Sequence, residues 1–181
     1  RYLHHLGEVT YFSPLADTSL PDAGFVYFPG GYPELYLAAL SANRQMLQSI
    51  RRYVESGGKL LAECGGMMYL CDEIRDKNGD VYPMAGVLHQ SATMENMKLR
   101  LGYRTLLYNE TRLKGHEFHY SRLVEQQNPL PSCAVAYTAK GVETDTPLYH
   151  YKNVWAGYTH LYWADPVGNE WFTKFVIDGN T

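Results

Sequence analysis

Hydrophobic and polar positions follow two regimes along this chain. From Gly24 to Leu70, short solid apolar runs alternate with stretches of helical spacing. Phe25-Val26-Tyr27-Phe28 is one such run, and Pro29-Gly30-Gly31 closes it, which predicts a buried strand ending in a loop of exposed backbone amides. Pro33 suits the first turn of a helix, where its missing N–H would have no partner anyway, and Glu34 favours the positive end of the dipole. Helix is therefore predicted through Leu40. A second helix is predicted from Ser41 or Asn43 to Gly57-Gly58, with Met46, Leu47, Ile50, Tyr53 and Val54 on one face. Lys59 to Glu63 reads as a second buried strand, and Met67 to about Ile74 as a third helix. Strand, helix, strand and helix in such close succession imply parallel strands covered by helices.

Past Leu99 the pattern turns to strands, over 99–108, 115–121, 134–138 and 154–163, with turn residues between them and a last helix over 169–176. At 181 residues both halves must share one core. No internal repeat interrupts this plan. Charge narrows the partners: 16 basic and 19 acidic residues, scattered to a net −3, argue against nucleic acid and anionic membrane. No apolar run approaches the roughly 20 residues that a membrane span needs. Cys64, Cys71 and Cys133 are an odd set without a Cys-x-x-Cys pair. That speaks against a disulfide framework or a zinc site and fits a reducing cytoplasm.

The chemistry is concentrated in Leu60 to Leu70, LLAECGGMMYL, where a nucleophilic residue stands between a strand and a helix. A nucleophile on such a sharp turn is forced into strained backbone angles and needs small neighbours, which Ala62 and Gly66 supply. The Cys64 thiol then faces the helix N-terminus, which favours thiolate, and the Gly65 amide points at an oxyanion formed on attack. Gly30 and Gly31, after the first strand, offer a second backbone donor for that oxyanion. A thiolate nucleophile needs a base that also serves as acid, and His160, at the end of Val154 to Thr159, is the best placed of seven histidines. Gly115 to Arg122, GHEFHYSR, puts His116, Phe118 and Tyr120 on one strand face and Glu117, His119 and Ser121 on the other. It is not a metal motif, and no metal ligands are assigned.

Four ordered motifs, FPGGYPELY (28–36), GGKLLAECGGMMYL (57–70), GHEFHYSR (115–122) and GYTHLYW (157–163), resemble the class I glutamine amidotransferases. Within them the chain is similar to the C-terminal glutaminase domains of the cobyrinic acid a,c-diamide synthase family, over nearly its whole length. The resemblance implies a flavodoxin-like α/β fold, a mixed, mostly parallel sheet with helices on both faces. It implies Cys64 as nucleophile, His160 as general base and acid, and the amides of Gly31 and Gly65 as the oxyanion hole. L-glutamine would be the substrate, and its ammonia would amidate the a and c acetate groups of a corrinoid bound elsewhere. The class carries a glutamate two residues after the histidine; here that place is Tyr162, which implies a Cys-His dyad. No role is read for Glu63 beyond facing solvent.

Relatives of this kind carry an ATP-dependent synthetase domain ahead of the glutaminase domain, and no phosphate loop is found in this chain. Residues 1–181 are therefore expected to be a glutaminase fragment of a longer polypeptide. No cofactor is expected in this domain, and ATP and Mg2+ would belong to the synthetase domain. A further upstream strand is also expected to be missing, leaving an unpaired sheet edge as a route to a homodimer. Two other readings stand beside this one. The first is a glutaminase serving a related tetrapyrrole amidase, cobyric acid synthase or nickel-sirohydrochlorin a,c-diamide synthase. The second is a catalytically idle binding domain.

Overall fold

A computed structural model describes residues 2–178. In chain order the elements are β1 (Phe25–Phe28), α1 (Leu37–Ala42), α2 (Arg44–Glu55), β2 (Lys59–Glu63), α3 (Gly65–Leu70), β3 (Cys71–Arg75), β4 (Val81–Pro83) and β5 (Leu88–Thr93). They continue with β6 (Arg100–Tyr108), β7 (Thr111–His119), β8 (Arg122–Leu123), β9 (Val135–Thr138), β10 (Glu143–Thr144), β11 (Leu148–Tyr151), β12 (Val154–Gly157), β13 (His160–Leu161) and α4 (Pro166–Asp178). Three sheets result among the described residues.

The central sheet runs β1-β2-β12-β11, with β1, β2 and β12 parallel and β11 antiparallel at one edge. Its alternating side chains divide the core. Val26, Phe28, Leu60, Ala62, Val154 and Ala156 face the layer built by α1, α2 and α3. Phe25, Tyr27, Leu61 and Trp155 face the other way, against Trp171, Phe172 and Phe175 of α4. Helices thus cover both faces, as a sheet buried on two sides requires. On α2, Met46, Leu47, Ile50 and Val54 form the buried stripe, and the Asn43 side chain caps the helix by accepting from the Met46 amide at 3.3 Å.

The mostly parallel sheet expected from the sequence is this central one, and two further sheets flank it. One is a five-stranded antiparallel sheet, β10-β9-β6-β7-β13; the other is β4-β3-β5-β8. The expected helix over 33–40 is a 3-10 turn, Pro33–Leu35, followed by α1 from Leu37. The expected helix from Met67 to Ile74 stops at Leu70, because Cys71 turns extended (ψ 170°) and its strand pairs with β4 and β5. Met67, Leu70, Cys71 and Ile74 have helical spacing, yet burial in one apolar cluster satisfies them equally from a strand. The expected strand over 154–163 is two strands in different sheets. After Gly157 the chain leaves β12, and His160–Leu161 joins β7 instead.

β1 forms an edge of the central sheet. A groove of about 1120 Å³ lies beside it, lined by residues that include Thr10 to Phe12, Gly31 and Gly65. Among the described residues no helix is long and apolar enough to cross a membrane.

Candidate active site

Cys64 occupies the link between β2 and α3, with φ 50° and ψ −111°. A side chain is strained at that positive φ, and the strain persists only because both flanks are pinned. Upstream, the Cys64 amide donates to Gly157 O of the neighbouring parallel strand at 2.8 Å; downstream, Cys64 O accepts from the Met68 amide at 3.1 Å. The small neighbours the turn demands are present for visible reasons. A Cβ at Gly66 would stand 2.5 Å from Phe28 O, and one at Gly65 would stand 2.5 Å from Gly31 O and 2.8 Å from Pro33 Cδ. The link thus presses against the loop after β1, and Gly31 and Gly65 meet beside the thiol. Nothing lies within 4 Å of where a Gly31 side chain would project, so that glycine faces open space.

His160 reaches this turn from the antiparallel sheet. β13 pairs with β7 in the register His160↔His116 and Leu161↔Gly115. The two imidazoles stack at 5.0 Å, with 21° between their planes. On the β1 side the His160 ring leans on Gly30, where an added Cβ would overlap ring Cε1 and stand 3.0 Å from Nε2. Only glycine permits this approach. The ring lies beside the Cys64 thiol, with Nδ1 3.6 Å from Glu63 Oε2, and these two neighbours push its pKa up to about 9 against the opposing effect of burial. The partners' stabilisation is fully present below pH 6.5, the ordinary histidine value, and is lost as pH rises through about 9. At neutral pH this favours the protonated ring, the form that can give a proton to a leaving group.

The GHEFHYSR segment is the strand that holds this histidine. Its faces divide as the alternation predicts: Glu117, His119 and Ser121 are buried, while Phe118 and Tyr120 are exposed. Phe118 O lies 3.9 Å from Cys64 Sγ. On the buried face Glu117 pairs with Arg104 at 3.0 Å, and the His119 ring stacks on Tyr158 at 3.7 Å. Among the described residues no group of three or more His, Cys, Asp or Glu side chains is arranged to hold a metal ion. Cys71 is wholly buried, and burial drives its thiol far up, away from reactivity. All three cysteines are free.

A cysteine on a strained strand-to-helix turn, a histidine beside it and two converging glycine loops form a nucleophile site of the acyl-transfer kind. Residues 2–167 match the family described as the CobB/CobQ-like glutamine amidotransferase domain. The chain belongs to that family.

This amidotransferase domain is 39% identical over 166 residues to hydrogenobyrinate a,c-diamide synthase of Pseudomonas aeruginosa, covering 88% of this chain and 36% of that protein. It is 38% identical over 170 residues to cobyrinate a,c-diamide synthase of Fusobacterium nucleatum, covering 89% and 37% respectively. The chain thus spans little more than a third of the length of these curated relatives. Among solved structures, one described as a glutamine amidotransferase superposes with a TM-score of 0.54 at 17% identity, over 84% of this chain and 78% of that one. The fold is the α/β fold of glutamine amidotransferases.

Four residues singled out in the sequence, Cys64, His160, Gly31 and Gly65, come together at one spot in this amidotransferase domain. Glu63 was missed. It is 3% exposed rather than facing solvent, with Oε2 at 3.6 Å from His160 Nδ1. The signal was available, since Glu63 falls on the same face of β2 as Leu61, the face turned away from α2. Tyr162, which takes the place of the class glutamate, packs tilted against His116 at 5.7 Å instead.

Proposed function

We propose that this domain hydrolyses L-glutamine and passes the ammonia to a synthetase domain of the same polypeptide. The observation that carries the reading is the strained Cys64 turn with the His160 ring set beside it, against Gly30 and Glu63. In the first step the Cys64 thiolate attacks the side-chain amide carbon of glutamine, forming a C–S bond. The tetrahedral oxyanion is held by the backbone N–H groups of Gly31 and Gly65. His160 gives its proton to the amide nitrogen as the C–N bond breaks, releasing ammonia and leaving a thioester. Water, deprotonated by the now neutral His160, hydrolyses the thioester to glutamate and restores the thiolate–imidazolium pair.

The released ammonia would amidate the a and c acetate carboxylates of cobyrinic acid or hydrogenobyrinic acid, in keeping with the names of the relatives that this chain resembles. ATP and Mg2+ would act in the synthetase domain, activating those carboxylates. No step assigned to the present residues needs a cofactor. We assign the reaction to the cytoplasm, consistent with three free thiols.

The test is isotope transfer. The complete polypeptide is incubated with glutamine labelled with 15N in its side-chain amide, ATP, Mg2+ and each candidate macrocycle in turn. Two 15N atoms should appear in the product of a corrinoid a,c-diacid. Labelled ammonia formed without any amidated corrinoid would overturn the assigned substrate. No release of label from glutamine would overturn the glutaminase reading itself.

A further inference from the structure

Glu63 is the last residue of β2 and the immediate neighbour of Cys64, and its side chain is almost wholly buried. A carboxylate removed from water is costly unless it is paired and hydrogen-bonded. Here each oxygen is occupied. Tyr27, on the adjacent parallel strand β1, donates its hydroxyl to Oε2 at 2.7 Å. The Leu161 amide, on β13, donates to Oε1 at 3.0 Å. The third neighbour is His160 Nδ1, at 3.6 Å from Oε2. The two fixed donors come from different sheets and hold the carboxylate where the ring must face it. The pinning from β13 comes from the residue next to His160 itself, so ring and carboxylate are located by the same short strand.

The other groups around His160 do not compete for Nδ1. Cys64 is the thiol partner, and His116 from β7 stacks on the ring face. Tyr162 turns to His116. Tyr27 reaches the site only through Glu63.

We propose that Glu63 is a positioning residue for His160 that supplies, from the position before the nucleophile, the carboxylate a Cys-His dyad would lack. This inference rests on the glutaminase reading for its catalytic meaning, though not for the geometry. Glu63 accepts from Nδ1–H, which leaves Nε2 free to exchange a proton with the Cys64 thiol and then with the departing ammonia. The carboxylate stays ionised throughout, so it stabilises the imidazolium without taking its proton. It also holds the ring in one tautomer and one orientation across both half-reactions.

The test compares the wild type with Glu63→Gln, which keeps an acceptor oxygen for the Leu161 amide, leaves the Tyr27 hydroxyl to accept from the new NH2 group, and removes the charge. Histidine-15N NMR titration reads the His160 pKa and tautomer, and steady-state kinetics of glutamine hydrolysis on the complete polypeptide read kcat and KM. In the wild type, neutral His160 should carry its proton on Nδ1. In Glu63→Gln the His160 pKa should fall by roughly a unit or more, as loss of a neighbouring opposite charge dictates. Its kcat should drop by about 10²- to 10⁴-fold, in line with loss of the carboxylate from a Ser-His-Asp site. KM should stay nearly constant. Glu63→Asp, which restores the charge on a shorter stem, should recover part of the loss.

A folded Glu63→Gln with an unmoved His160 pKa would overturn the proposal, as would a wild-type His160 protonated on Nε2 when neutral. The wild-type tautomer is read without any variant, so a misfolded Glu63→Gln cannot shelter the idea. Wild-type NMR showing the coupling while the polypeptide turns over no glutamine would overturn the glutaminase reading and, with it, the catalytic role of Glu63. Turnover with His160 uncoupled from Glu63 would overturn the positioning role alone.

Discussion

Cys64→Ser in the complete polypeptide should abolish glutamine-driven amidation while leaving amidation from free ammonia intact. The reasoning is a division of labour. Serine fits the same turn, since the site demands only a small side chain at φ 50° and small neighbours around it. What it removes is the thiolate. A serine hydroxyl is a poor replacement nucleophile, because its proton is far harder to remove than a thiol's. Loss of a nucleophile in a preorganised acyl-transfer site costs on the order of 10⁴-fold or more in kcat. Ammonia supplied in solution bypasses the glutaminase step, so the synthetase step should run at its ordinary rate. Paired assays with glutamine and with ammonium salt check this. Parallel loss of both activities would show that Cys64 serves the synthetase step as well.

Gly30→Ala should cripple the same activity without touching any reacting atom. A Cβ at this position overlaps the Cε1 atom of His160 and crowds both ring nitrogens. The ring cannot retreat on its other contacts, because His116 stacks on it and the Glu63 carboxylate faces Nδ1. The displaced imidazole then misses the thiol. A shift of about 1 Å in a catalytic group costs about 10²-fold in rate, and that is the loss expected in kcat/KM for glutamine. Ammonia-driven amidation should survive, as in Cys64→Ser. The steric cause has a second signature: His160 should lose its elevated pKa in Gly30→Ala, since that elevation comes first from the Cys64 contact. Wild-type glutamine kinetics in a folded Gly30→Ala would show that the ring is not held where these distances put it.

How much of this was legible in the amino-acid sequence varies element by element. The turn at Cys64 was, because Ala62 and Gly66 mark it locally and no distant contact is needed to recognise it. The strands β1 and β2 were also plain, as solid apolar runs cut by glycine. The early end of α3 was not. Nothing local distinguishes Cys71 to Arg75 from helix; only pairing with β4 and β5 makes it strand.

His160 was chosen for a reason the structure amends. It does not terminate the parallel strand that begins at Val154, but belongs to a separate two-residue strand paired with His116. The apolar run was continuous in sequence because Val154 to Thr159 are buried throughout, while the change of sheet at Tyr158-Thr159 leaves no local mark. Glu63 was hidden for a related reason. A glutamate at a strand end is ordinarily solvated. Its burial depends on Tyr27 and on the Leu161 amide, which are 36 and 98 residues away in the chain.

GHEFHYSR illustrates the opposite case. Its alternation was readable and correct, yet its purpose was not. The strand carries His116, which sits opposite His160, and its buried Glu117 and His119 anchor it against Arg104 and Tyr158. A motif that looks chemical by composition thus serves by position. Its contribution is the placement of β13.

The measurement that bears most directly on the central claim is intact-mass analysis after treatment with a glutamine-like diazoketone, on the wild-type chain and on Cys64→Ala. A strained Cys64 with His160 beside it in a glutamine site should take one adduct, and Cys64→Ala should take none. A folded wild type that stays unmodified, or an adduct that persists in Cys64→Ala, would contradict the assignment of Cys64 as the glutamine-recognising nucleophile.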